Sequence, residues 1–161
     1  TAGRRELVVR QYGSTESRRL LVALDLSPFT ADDPEACEDA LIEACLSVVR
    51  YAHERQIDTT FVYAQGKSLR SHAGRGARVF SEIHSEMAKV TFTADIPLLH
   101  LLDEAKRAQM VYLFCAKVPD GETLSALPQD KPVELAVVRT GKGKTPLPDS
   151  LEMMRVTELN P

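Results

Sequence analysis

Apolar positions follow two patterns along this chain, and the two patterns alternate. Short continuous apolar runs, each ended by polar or turn residues, are typical of strands buried within a sheet. Between them, apolar residues recur at steps of three and four, as on one face of a helix. Strands that alternate with helices favour a mostly parallel sheet with right-handed crossovers. We predict strands at positions 6–12, 19–26, 59–64, 110–115 and 133–138, with a further edge strand at 151–156.

The longest predicted helix has a clear start. Asp33 is a suitable N-cap, Pro34 fits the first helical position, and Glu35 favours the positive end of the helix dipole. Apolar residues then recur through Ala52 and predict a face that packs on the sheet. Shorter helices are predicted at 77–89, from Pro97 to Ala105 and at 122–127.

The apolar run that begins at Leu20 ends abruptly at Asp25, and Ser27 follows two positions later. Ligands of open α/β sheets bind at the carboxyl ends of the strands. Carboxylate and hydroxyl oxygens suit a hard cation such as Mg²⁺, so Asp25 and Ser27 are candidate ligands. Equally, Asp25 caps the turn that follows the strand, as aspartate often does. The residues of this run alone leave both interpretations open.

The composition indicates one ordinary globular domain. The chain has 161 residues, of which 43% are hydrophobic and 27% are charged, with a formal net charge of −3. This balance gives no overall attraction to nucleic acid or to anionic lipid. No apolar run reaches the ~18 residues of a membrane-spanning helix. Because the sequence begins without Met, we expect residues 1–161 to be a single domain excised from a longer protein.

The three cysteines, Cys37, Cys45 and Cys115, lie within apolar helix or strand patterns. We interpret them as small core residues of a reducing compartment, rather than as a disulfide framework or metal ligands. The expected location is therefore the cytoplasm, with no membrane contact by this domain itself.

Two segments together resemble a bacterial protein family. Residues 1–12 read Thr-Ala-Gly-Arg-Arg-Glu-Leu-Val-Val-Arg-Gln-Tyr, and the next strand ends in Asp25-Leu26-Ser27. In this combination the chain resembles the von Willebrand factor A-like domains of domain-of-unknown-function family 58. The resemblance implies a Rossmann-like, three-layer α/β/α sandwich. Its central sheet would be mostly parallel, with one antiparallel edge strand.

The same resemblance implies a metal-ion-dependent adhesion site at the carboxyl end of the sheet. Asp25 and Ser27 match the first cation-binding loop of the wider A-domain family, and Thr93 matches its second-loop threonine. The pattern is incomplete, since Phe29 replaces a ligating serine and Ala116 stands where an aspartate is usual. With about three oxygen ligands where Mg²⁺ takes about six, we expect a degenerate site. Such a site would bind Mg²⁺ weakly and be vacant at physiological concentrations.

A second candidate surface is the basic stretch at 67–78, which we predict to be a flexible loop. One interpretation is a solvated connection without a function. In the other, Arg70, Arg75 and Arg78 dock an acidic protein partner, because the stretch lacks the aromatic residues of a nucleic-acid groove.

Residues 141–145 carry part of a phosphate-binding motif. The required glycine is absent, since Val138 takes its place, and Pro146 disfavours the helix that must follow. We therefore interpret this segment as a solvated basic turn.

The preferred function is a non-catalytic protein-interaction module that uses the surface around Asp25, Ser27 and Thr93. The resemblance also implies a partner, because family members are commonly encoded beside MoxR-type AAA+ ATPases and act with them in assembly or maturation of other complexes. By the same analogy the parent protein is membrane-anchored through segments outside these residues. Two alternatives stay open, an inert structural domain and a metal-dependent hydrolase or phosphatase. The hydrolase would use Asp25 and need Asp95 or Asp120 as a second acid.

Overall fold

The structure, a computed structural model, describes residues 19–138, 146–149 and 153–161. The predicted strand at 6–12 and the basic turn at 141–145 lie outside the described residues. The strands are β1 (Arg19–Leu24), β2 (Asp58–Gln65), β3 (Ser68–Gly74), β4 (Met110–Cys115), β5 (Val133–Val138) and β6 (Met154–Leu159). The helices are α1 (Pro34–Glu54), α2 (Ala77–Met87), α3 (Leu98–Leu101) and α4 (Gly121–Ala126), with a 3₁₀ helix at Asp103–Arg107.

The strands form one sheet in the order β3-β2-β1-β4-β5-β6. β1 lies at its centre and pairs in parallel with β2 on one side and β4 on the other. β5 and β6 extend the parallel part beyond β4. Among the described strands only β3 is antiparallel, paired with β2 at one edge. The expected mostly parallel sheet with an antiparallel edge strand is confirmed.

Helices cover both faces of this sheet. α1 packs across β1, β2, β4 and β5, and it also contacts β6 and α2. Two helices connect neighbouring parallel strands: α1 joins β1 to β2, and α4 joins β4 to β5. The first connection runs toward the β3 edge of the sheet and the second toward the β6 edge. Since both crossovers are right-handed, α1 and α4 lie on opposite faces. α3 contacts β2 and α4, and the 3₁₀ helix contacts β1. The expected three-layer α/β/α sandwich is therefore confirmed.

α1 begins as its sequence predicts, because the Asp33 side chain accepts a hydrogen bond from the Ala36 N–H (3.2 Å). Its buried face carries Cys37 and Cys45 among aliphatic neighbours. Both are free thiols, as is the buried Cys115 in β4. The interpretation of the cysteines as core residues is confirmed. In the part of the chain that the structure describes, no helix combines the length and apolarity needed to cross a membrane.

The stretch at 67–78 is not the flexible loop that its composition predicted. It contains β3, which a tight turn joins to β2, and in that turn Gly66 has a φ of 55°. Glycine adopts such an angle without steric cost. Most side chains of β3 are exposed, so the strand lacks the apolar alternation that marks a half-buried strand. The prediction failed because a polar edge strand has no hydrophobic pattern.

Most predicted bounds agree with the structure to within two residues, and two elements differ more. The helix expected from Pro97 onward is only the short α3, followed by the 3₁₀ helix. β6 continues to Leu159, beyond the predicted 151–156, and part of that predicted strand lies outside the described residues.

His53 is buried in α1 without a hydrogen-bond partner. It is 2% exposed, and neither ring nitrogen meets a donor or acceptor within the described residues. The nearby Phe80 ring lies 6.5 Å away, centroid to centroid. Burial lowers the pKa of this imidazole, because the charged form loses its hydration. The fold therefore holds a neutral histidine at a cost to its stability.

We expect the free energy of unfolding to fall as the pH is lowered from ~6.5, the pKa of histidine in an unfolded chain, toward the lower pKa of folded His53. In that window the unfolded chain binds a proton that the folded chain does not. His53→Leu removes this dependence and the two unpaired nitrogens, so it should stabilise the fold by about 1–3 kcal/mol at neutral pH. Urea denaturation of both proteins between about pH 5 and 8 measures the difference. If both proteins showed the same pH dependence, His53 would not be its cause.

Candidate functional site

Asp25 is the first residue after β1 and is 7% exposed. Its backbone N–H donates to the Phe114 carbonyl (2.9 Å), which prolongs the pairing of β1 with β4. Its Oδ1 atom accepts hydrogen bonds from the Ser27 N–H (3.0 Å) and the Ser27 hydroxyl (2.5 Å). This is the geometry of an aspartate that caps a turn. Asp25 therefore does cap the turn, and it does so beside Ser27 at the carboxyl end of the central strand.

Thr93 lies in a loop that is fastened to the same end of the sheet. The N–H of the next residue, Ala94, donates to the Leu26 carbonyl (3.0 Å). Thr93 is exposed, and its Oγ1 lies 3.1 Å from the Oγ1 of Thr91. The structure thus brings the loop of Thr93 beside the loop that carries Asp25.

Gln65, at the end of β2, holds this loop through a contact that no sequence pattern indicated. Its side-chain oxygen accepts a hydrogen bond from the Thr91 N–H (3.0 Å), and its side-chain nitrogen donates to the Thr91 carbonyl (2.6 Å). The Asp95 N–H donates to the Gly66 carbonyl (2.7 Å) in the adjoining turn. The Gln65 amide therefore pairs with the Thr91 backbone much as a neighbouring strand would.

The loop after β4 completes the surface. Lys117 Nζ lies 3.5 Å from the Pro28 carbonyl, at the limit of a hydrogen bond. Phe29 packs edge-on against Phe92, with ring centroids 5.4 Å apart, so this side chain serves in packing. We call the surface formed by residues 25–29, 65–67, 91–95 and 115–118 the carboxyl rim.

Cys115 is a poor nucleophile in this setting. Burial raises the pKa of its thiol, the Asp25 carboxylate adds to the rise, and Lys117 opposes it. Because the thiolate is the reactive form, a raised pKa keeps this cysteine inert.

The carboxyl rim offers a divalent cation few ligands. Asp25 is a buried carboxylate, and one of its oxygens already accepts two hydrogen bonds. Asp95 is exposed and pairs with Lys67 (3.4 Å), while Lys117 brings a positive charge to the rim. Within the described residues, no three His, Cys, Asp or Glu side chains are grouped to hold a metal ion. Since Mg²⁺ takes about six oxygen ligands, these residues fit it poorly.

The second acid that a hydrolase would need is engaged elsewhere. Asp120 caps α4 by accepting a hydrogen bond from the Thr123 N–H (2.8 Å), and this bond lowers the pKa of Asp120. Asp95 pairs with Lys67. No hydrogen bond in the described part of the chain joins either acid to Asp25.

The structure separates the three predicted docking arginines. Arg70 lies opposite Tyr63, which in turn pairs with the last residue of β1, so Arg70 belongs to the same end of the sheet as Asp25. Arg75 lies 3.5 Å from Asp58, at the other end of β2. Arg78 pairs with Glu82 in the first turns of α2 (3.8 Å). Much of the positive charge predicted for this stretch is therefore paired within the chain.

No family model matches the chain, and no curated protein matches its sequence. Among solved structures, the chain is similar to the VWA domain of SpRpn10, with a TM-score of 0.46 and 10% sequence identity. That similarity covers 89% of this chain and 88% of the other. A likeness this distant leaves the function to be argued from the residues of this chain.

We expect Gln65→Ala to loosen the 91–95 loop without unfolding the sheet. Two hydrogen bonds to the Thr91 backbone are lost, so the free energy of local opening should fall by about 1–2 kcal/mol. Amide hydrogen exchange at Thr91, measured by NMR, should then accelerate roughly 5- to 30-fold.

Gln129→Ala is the matched control, because that amide donates to the Leu127 carbonyl (3.1 Å) instead. It should leave exchange at Thr91 unchanged. Equal exchange in Gln65→Ala and the wild type would refute the role assigned to Gln65.

Proposed function

We propose that this chain is a non-catalytic protein-interaction module that contacts its partner through the carboxyl rim. The observation that carries the proposal is that backbone hydrogen bonds join the loops of the rim. The Ala94 N–H donates to the Leu26 carbonyl, and the Asp95 N–H donates to the Gly66 carbonyl. Loops held in this way lose little conformational entropy on binding, so the surface is preorganised. The exposed side chains of Thr91, Thr93 and Lys67 give it hydrogen-bonding groups.

The chemistry of the rim favours binding over catalysis. Asp25 is capped by Ser27, Asp95 is paired with Lys67, and the Cys115 thiol has a raised pKa. None of these groups is placed as an activated nucleophile beside a base, which hydrolytic chemistry requires.

We further propose that the partner is a MoxR-type AAA+ ATPase, and that the two act in assembly or maturation of other complexes in the cytoplasm. The support is the resemblance of residues 1–12 and of Asp25-Leu26-Ser27 to family 58. The free thiols of Cys37, Cys45 and Cys115 agree with a reducing compartment. In this proposal the rim is a degenerate adhesion site, and Mg²⁺ contributes little to binding.

Mg²⁺ should stabilise the chain only slightly. A ligand present at its dissociation constant raises the free energy of unfolding by ~0.4 kcal/mol. For a domain of this size, that raises the melting temperature by about 1 °C. We expect a shift no larger than this at millimolar Mg²⁺, measured by thermal melts of the wild type and of Asp25→Ala. A shift of several degrees that Asp25→Ala removes would show instead that the rim holds a cation firmly.

The interaction itself is tested with a purified MoxR-type AAA+ ATPase, by isothermal titration calorimetry. Thr93→Arg changes the rim itself, and Arg70→Glu changes its neighbourhood at the same end of the sheet. Each should weaken binding about tenfold, or ~1.4 kcal/mol. Arg75→Glu and Arg78→Glu are the controls, because both arginines are already paired and lie away from the rim. Equal losses in all four variants, or none, would refute binding through the rim.

A further inference from the structure

A groove of about 710 Å³ lies between α1 and α2. Its floor includes Ile42 and Leu46, one turn apart on α1, together with Met87 and Val90 from the end of α2 and just beyond it. Ile42, Leu46 and Val90 are only partly buried, although α1 and α2 pack against each other. Within the described residues the groove therefore presents an apolar floor to solvent.

Acidic side chains of α1 border this floor, namely Glu38, Asp39, Glu43 and Glu54. None of the four forms an ion pair within the described residues, although other carboxylates of the chain pair with Arg75, Arg78, Arg107 and Arg155. The guanidinium of Arg50, which also lines the groove, lies over the Phe80 ring at 5.0 Å from its centroid. With four carboxylates and one guanidinium in its lining, the groove carries a net negative charge around an apolar floor.

We propose that this groove binds a cationic amphipathic helix of a partner protein. The apolar face of that helix packs on Ile42 and Leu46, and its Lys or Arg side chains pair with the bordering carboxylates. Such a surface combines the two features of helix-in-groove recognition, an apolar channel and a complementary charged border. The groove runs along α1 and adjoins the carboxyl rim where Val90 precedes Thr91. The proposal does not depend on the function proposed for the rim.

The groove suits a helix better than an extended peptide. An extended peptide gains its affinity from backbone hydrogen bonds along an open sheet edge. The walls here are helices, whose backbone N–H and C=O groups are bonded internally. Along α1 the border extends about 24 Å, the length of a helix of about four turns. Glu38, Asp39 and Glu43 lie toward one end of it and Glu54 at the other, with Arg50 between them. A partner helix of that length would run beside the whole border.

The probe is a synthetic 18-residue helix with leucines on one face and lysines on the other, labelled with fluorescein. Fluorescence anisotropy measures its binding to the 161-residue chain. We expect the peptide to bind the wild type more tightly at low salt than at high salt, because salt screens exposed ion pairs. The double variant Asp39→Lys/Glu43→Lys should bind at least tenfold more weakly. Both residues are exposed, so this variant should fold, which circular dichroism checks.

Asp103→Lys/Asp130→Lys is the matched control, since it makes the same change in net charge at two exposed aspartates outside the groove. It should change the affinity less than threefold. A second control is a peptide of the same composition whose leucines are spread around the helix, which should bind much more weakly. Ile42→Ala keeps every charge and should still weaken binding of the amphipathic helix.

The proposal is overturned if both double variants lose affinity equally, since that result shows attraction to net charge alone. It is also overturned if the scrambled peptide binds as well as the amphipathic one, or if the wild type binds neither. Chemical shift changes in ¹⁵N NMR spectra that fall on α1 and α2 would support the assigned location. Changes confined to other elements would contradict it.

Discussion

The burial of β1 on every side is the constraint on which the rest of the molecule depends. A strand between two parallel neighbours, covered by helices on both faces, leaves no place for polar side chains. Leu20 to Leu24 are accordingly almost inaccessible to solvent, and Asp25 follows directly after the end of the strand. The length of one apolar run therefore fixes where the carboxyl rim lies.

Main-chain hydrogen bonds then give the rim its shape. The Asp25 N–H is bonded to the Phe114 carbonyl, and the Leu26 carbonyl accepts from the Ala94 N–H. Because these bonds do not depend on side-chain identity, ligating positions can be replaced while the frame persists. Phe29 offers no oxygen to a cation and packs on Phe92 within this frame. The shape of the rim therefore does not depend on side chains that could ligate a cation.

The sequence was sufficient for elements that hydrophobic burial controls, and insufficient for those held by polar contacts. β1, β4 and β5 have continuous apolar runs, and their predicted positions match the structure closely. β3 escaped prediction because an edge strand with exposed side chains has no apolar period. The two hydrogen bonds between the Gln65 side chain and the Thr91 backbone join residues 26 positions apart. Because they are polar and distant in sequence, no local pattern could indicate them. Thr93 was placed near Asp25 only through a family resemblance.

The charges of the chain show why a net value says little about its surfaces. A formal charge of −3 suggests a nearly neutral molecule, and the basic stretch at 67–78 suggests a positive patch. In the fold the hairpin carries Arg70 and Arg75 to opposite ends of the sheet, and Arg75 is paired with Asp58. The carboxylates of α1 that border the groove have no such partners in the described part of the chain. Among the described residues, negative charge therefore gathers along the border of the groove, beside the partly buried Ile42 and Leu46. Asp39 and Glu43 are exposed, so salt screens any ion pair formed with them. Charge at this groove would therefore select among partners, and apolar contact with Ile42 and Leu46 would have to add to the affinity.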